Sequence, residues 1–216
     1  MFIPLSKRID MPAEVVDHSP NCPPSAFLEM YLRECIFLNC DSSFARYMLP
    51  KPYEYADIQQ VLLDPSEIMP TAKYVLRSNL ATIEALDEEL LAQGIDMFNL
   101  KGVVKIDDNN YICPLILEVW QEKPYNGIPV IVDGAHRLYI AKKRGIQVSC
   151  VLISGNISSM LPVLPLAGWH EVFEQDTVPK DKRNYHPGIP SPWKPHEVYR
   201  QQFHGSTGPR VVSGIA

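Results

Sequence analysis

One junction constrains the fold of this chain more than any other: Ile131-Val132-Asp133-Gly134-Ala135-His136-Arg137. An apolar run, Ile128 to Val132, enters an Asp-Gly turn. A helical pattern from about His136 to Arg144 opens at once and stops at Gly145. Strand, tight turn and helix in immediate succession call for a sheet with a helix packed on it. The first amides of any helix have no acceptor within it and carry partial positive charge. A glycine in such a turn lets an anion approach the backbone closely. The junction therefore reads as a phosphate site, with Gly134, Ala135, His136 and Arg137 around the anion. Arg137 can offer two parallel charge-assisted hydrogen bonds. Asp133, at the strand end, is placed to hold a magnesium ion or to take a proton from a substrate hydroxyl. The bland alternative is a plain helix start with a structural histidine and a surface arginine.

Around this junction the middle of the chain alternates strand and helix. Ile58 to Leu63 suits a short strand. Leu76, Leu80, Ile83, Leu86 and Leu90 fall on one helical face, with Gly94 as the stop. Gly102 to Ile106 reads as a strand and Asp107 to Asn110 as a turn. Tyr111 to Trp120 reads as one longer strand, Lys123 to Gly127 as a turn and Gln147 to Ile153 as a last strand. Within the longer strand, Glu118 would have a raised pKa if buried. The expected class is mixed α/β, a small sheet with flanking helices.

The flanks differ. Residues 1–56 form an N-terminal helical extension: Phe27, Leu28, Tyr31, Leu32, Cys35 and Ile36 recur at helical spacing behind the cap Ser25. That face suits the core or a subunit interface, so a homo-oligomer is one expectation. Residues 57–155 make the central domain. Residues 156–216 hold eight of the 20 prolines, which disfavours long helices and central strands. The aromatics Trp169, Phe173, Tyr185, Trp193, Tyr199 and Phe203 make an extended arm packed on the domain the expectation there. His170 and Glu171, with His186, His196 and His204, are candidates for lining a substrate pocket.

Composition excludes several classes. At 216 residues and 46% hydrophobic content, the chain can bury enough surface to fold without disulfide or metal. The net charge of -5 counts against broad nucleic-acid binding. The five cysteines are an odd number without a C-x-x-C pair, which suits free thiols in a cytoplasmic chain. No apolar run reaches the roughly 18 residues of a membrane helix. Met1 to Glu14 lacks the apolar core of a signal peptide.

Val132-Asp133-Gly134-Ala135-His136-Arg137, the helix Leu138 to Gly145 and the strand Val148 to Ile153 resemble the signature of the ParB/sulfiredoxin superfamily. The layout of Leu63-Asp64-Pro65-Ser66-Glu67-Ile68-Met69-Pro70, helix and two strands is similar too. The resemblance covers roughly residues 57–154 and implies a small fold that binds nucleotide phosphates at the turn. Sulfiredoxins carry a catalytic cysteine where this chain has Ala135, which sets sulfinic-acid reduction aside. The chromosome-partitioning branch has an acidic-Arg-Arg turn and a long helical DNA-binding region, where this chain has Ala135-His136-Arg137 and a proline-rich tail. The turn is most similar to that of the free serine kinases. That branch implies ATP or ADP with Mg2+ as cofactor and a small hydroxylated substrate such as a free amino acid. Asp133 would meet metal or hydroxyl, and Gly134, Ala135, His136 and Arg137 would meet phosphates. In place of that branch's Lys-Pro-His-Glu loop this chain reads Met69-Pro70-Thr71-Ala72-Lys73, with Ala72 where the basic Glu would stand. Glu67 or Asp133 would then activate the hydroxyl, and Lys73 and Arg77 would add positive charge. The alternative is a non-catalytic nucleotide- or phosphate-binding regulatory module.

Overall fold

A computed structural model describes residues 14–15, 53–102, 104–105, 111–157 and 163–185. The helix expected at 25–36, the turn at 107–110 and the tail beyond 185 lie outside the described residues. The main sheet has four strands: β2 (Ala56–Leu63), β6 (Leu115–Val119), β7 (Pro129–Asp133) and β8 (Val148–Gly155). Their order is β2-β8-β6-β7, with β6 and β8 parallel and the other two pairs antiparallel. Beyond β7 the chain at Met69 adds one bridge to Val130, closed by Met69 N–H to Pro129 O at 2.8 Å and Ile131 N–H to Met69 O at 3.1 Å.

Two helices cover one face. Helix α1 (Arg77–Leu91) buries Leu80, Ile83, Leu86 and Leu90, the stripe expected from its spacing. Its first predicted residue, Leu76, is instead the extended N-cap. Helix α2 (Ala135–Arg144) buries Leu138, Ile140 and Ala141, and Gly145 closes it at φ 66°. These meet Leu117, Ile131 and Cys150 from the sheet in one core. Strand alternation sends Ile116, Val130, Val151 and Ile153 to the other face, where Tyr53 and Trp120 cover them.

Tyr111 to Trp120 is two strands, not the single one expected. β5 (Tyr111–Ile112) pairs with β4 (Val104–Lys105), which also carries β1 (Glu14–Val15). The break falls at Cys113-Pro114, and Pro114 has no N–H for a ladder bond. A third, two-stranded sheet pairs β3 (Tyr74–Leu76) with β9 (Phe173–Gln175) in parallel. No helix among the described residues is long and apolar enough to cross a membrane.

Candidate functional site

Asp133 ends β7 with 5% of its surface exposed. Gly134 follows at φ 94° and ψ 21°, a left-handed conformation, and serves as N-cap of α2. A Cβ at Gly134 would lie 2.2 Å from Leu115 Cδ2 and 3.2 Å from an Arg137 Nη. Backbone angle and core packing thus both require glycine here. On the side where a Cβ would project, the room is taken by the protein's own Leu115, not left for a ligand.

Arg137 turns inward and is only 6% exposed. Its Nη1 donates to Cys113 O at 2.6 Å, fastening α2 to the loop between β5 and β6. Burial pushes the Cys113 thiol up to about 12, with Arg137 opposing and Asp133 adding to the shift. The thiol therefore lies in the field of both residues. No sequence signal pointed to Cys113, because its approach depends on the break at Pro114. His136 Nε2 accepts the N–H of Leu76 at 3.0 Å. An accepting ring nitrogen carries no proton, so the neutral imidazole holds its proton on Nδ1.

That bond sets two helix starts side by side. Leu76 is the N-cap of α1, and His136 sits in the first turn of α2. Neither start has a side-chain cap, and neither first turn contains an acidic residue. Each helix start carries roughly half a positive charge, and here both fields add. The ParB CE domain family matches residues 46–173, which is more than half of the 216-residue chain. The chain belongs to the ParB CE domain family. That match confirms the expected ParB/sulfiredoxin-like fold. No curated protein and no solved structure matches.

The other predicted residues of this ParB CE domain fall around the junction in different ways. Glu67 closes a capping box on the 3-10 turn Pro65–Glu67: its Oε2 takes the N–H of Asp64 at 3.0 Å, while Asp64 takes that of Ser66 at 2.8 Å. The bonds from Ser66 hold the Asp64 carboxyl below its usual range, with Lys142 contributing. Lys142 lies in the last turn of α2, so Glu67 stands near the far end of that helix from the Gly134 turn. Ala72 is buried. Lys73 pairs with Asp181 at 3.7 Å, and Arg77 with Asp176 at 2.8 Å and Glu174 at 3.7 Å. Both cations are thus partnered from the C-terminal segment. His170 is exposed and Glu171 half-buried in a second 3-10 turn, Trp169–Glu171.

Residues 163–185 form a strap along the loop that precedes α1. Leu166 N–H donates to Pro70 O at 2.9 Å, Phe173 N–H to Lys73 O at 3.0 Å, and Lys73 N–H to Lys182 O at 3.0 Å. Trp169 Nε1 donates to Pro65 O and Ile68 O at 3.1 and 3.0 Å. Its ring lies 6.2 Å from that of Tyr139 on α2. On the opposite sheet face Glu118 is 3% exposed and accepts from Tyr53 Oη at 3.0 Å. Burial pushes its carboxyl up to about 8 against that hydrogen bond, the shift its place in an apolar strand suggested.

Proposed function

We propose that this ParB CE domain binds the phosphates of a nucleotide where α1 and α2 begin. The observation that carries the reading is the pair of helix starts, without a side-chain cap or an acid in either first turn, joined by the Leu76 N–H to His136 Nε2 bond. Two such starts attract an anion through amides and dipoles together. Arg137 supports the site from beneath by holding the turn to Cys113. A Mg2+ ion needs one or two carboxylates plus phosphate oxygens and water. Among the described residues no group of three or more ligating side chains exists. The fitting arrangement is therefore Asp133 together with the phosphates of ATP or ADP.

Ser78 tests this without touching the core. It is exposed in the first turn of α1, so Ser78→Glu places a negative charge there that itself favours the helix. Calorimetric titration with MgATP, MgADP and MgCTP should show binding to the wild-type chain. Ser78→Glu should weaken it by about tenfold at low salt with no loss of melting temperature. Wild-type binding that survives Ser78→Glu intact would overturn the site.

A second reading adds chemistry, and the burial of Asp133 at the strand end favours it. In it the domain transfers phosphate to a small hydroxylated metabolite such as a free amino acid. Asp133 takes the hydroxyl proton, the hydroxyl oxygen attacks the terminal phosphorus, and the shortened nucleotide leaves with the bridging oxygen. Bound Mg2+ would neutralise charge on the phosphates. Glu67 is committed to its capping box, which leaves the proton to Asp133. Incubation with ATP, ADP or CTP and a pool of amino acids separates the readings. Binding without consumption of nucleotide leaves the regulatory module; consumption that Asp133→Asn does not reduce removes Asp133 as base.

A further inference from the structure

The strap carries a residue that bears on the anion site although it lies beyond the family match, which ends at residue 173. Arg183 is 8% exposed. Its Nη1 donates to Thr71 Oγ1 at 3.1 Å and to Thr71 O at 3.3 Å. Thr71 Oγ1 donates in turn to Ile131 O at 3.2 Å, two residues before Asp133. A guanidinium is costly to bury. A strap already sewn down by backbone bonds at Pro70 and Lys73 does not need one to stay in place. What the guanidinium adds is orientation. It donates to one lone pair of the Thr71 hydroxyl while the hydroxyl proton points at the strand that ends in Asp133. The loop so fixed runs on for five residues to Leu76, whose N–H meets His136.

We infer that Arg183 is a positioning residue of the candidate anion site, acting through Thr71 to hold the start of α1 against the start of α2. The inference rests on the phosphate-binding reading for its consequence, but not for its geometry. Arg183 itself need not touch the ligand.

Arg183→Ala, Arg183→Lys and Thr71→Val in the full chain test it with two measurements. Calorimetry gives MgATP affinity, and nitrogen NMR of the imidazole reports whether His136 Nε2 still receives a proton donor. Arg183→Ala is expected to weaken MgATP binding tenfold or more and to move the Nε2 resonance toward that of a nitrogen without a donor. Arg183→Lys, which keeps one donor in reach, should recover part of both. Where the wild-type chain binds MgATP, support requires both changes in Arg183→Ala, and either one alone overturns the inference. Where the wild-type chain binds no MgATP, the nucleotide reading fails by itself. The resonance then decides for Arg183: a shift supports the positioning role and its absence overturns it. Should Arg183→Ala not fold, Thr71→Val keeps the loop's shape, loses only the hydroxyl, and is read by the same two outcomes.

Discussion

The turn at 133–137 and the strap at 163–185 both border the candidate site, and they are built on opposite plans. The turn is local. Asp133, Gly134, His136 and Arg137 are neighbours in the chain, and one glycine with φ 94° sets their geometry. The strap is assembled at long range. Arg183 meets Thr71 across 112 positions, and Trp169 meets Pro65 across 104. The contrast teaches where tolerance lies. The turn concentrates its requirement in a single residue, whereas the strap spreads it over many bonds of modest size.

Gly134→Ala should be the most damaging change. A left-handed alanine costs about 1–2 kcal/mol, and the overlap with Leu115 adds roughly 1–3 kcal/mol of overpacking. Denaturant unfolding should show a loss of about 3 kcal/mol; a loss under about 1 kcal/mol would mean that the turn is as forgiving as the strap. An effect of comparable size comes from the opposite sheet face, which serves as a reference for both regions. Glu118 has a carboxyl raised from 4.5 to about 8. Between those values the folded chain keeps a proton that the unfolded chain has released. Stability contributed by the neutral form is therefore full below pH 4.5 and falls as pH rises through the window, by roughly 1.4 kcal/mol per unit. Glu118→Gln should flatten that slope in unfolding curves taken from pH 5 to 8. An unaltered slope would remove Glu118 as its source.

Trp169→Phe deletes the donor shared by Pro65 O and Ile68 O while keeping an aromatic ring against Tyr139. A loss of about 1–2 kcal/mol is expected from two stranded carbonyls. A loss as large as that of Gly134→Ala would show that the strap, too, depends on one residue. Smallest is Lys143→Ala. Lys143 Nζ lies 2.9 Å from Glu174 and 5.7 Å from the Tyr139 ring centroid, but is 61% exposed. Its removal should lower the melting temperature by under roughly 2 °C, and 1 M salt should erase the difference.

Legibility in sequence follows the same division. The strand, glycine and helix at 128–145 were readable because period, turn residue and stop all lie within one short window. Leu80, Ile83, Leu86 and Leu90 were readable for the same reason, and they do face the core. For Glu118 the sequence offered only the condition, a raised pKa if buried; its burial follows from sharing the sheet face of Ile116 and Trp120. The inward turn of Arg137 was not. A first-turn arginine has the same local sequence whether it faces solvent or Cys113, and its acceptor comes from the loop that Pro114 creates. The capping role of Glu67 did have a local trace, the Asp64-Pro65-Ser66-Glu67 spacing of a capping box, which its reading as a candidate base passed over. The Thr71–Arg183 contact leaves no periodic trace at all, because nothing in a single chain announces a pairing made across more than a hundred positions.

The parallel pairing of β3 with β9 has a consequence for how the molecule is made. Tyr74 and Phe173 are partners, so synthesis delivers the turn, α2 and the whole main sheet before β9 exists. A nascent chain ending near residue 160 would hold the main sheet and both helices but lack Leu166 and Val172 of the core, while the segment before α1 still waited for its neighbour. Completion of the segment that leads into α1 would then depend on the arrival of residues 163–185 rather than on pairing of the main sheet.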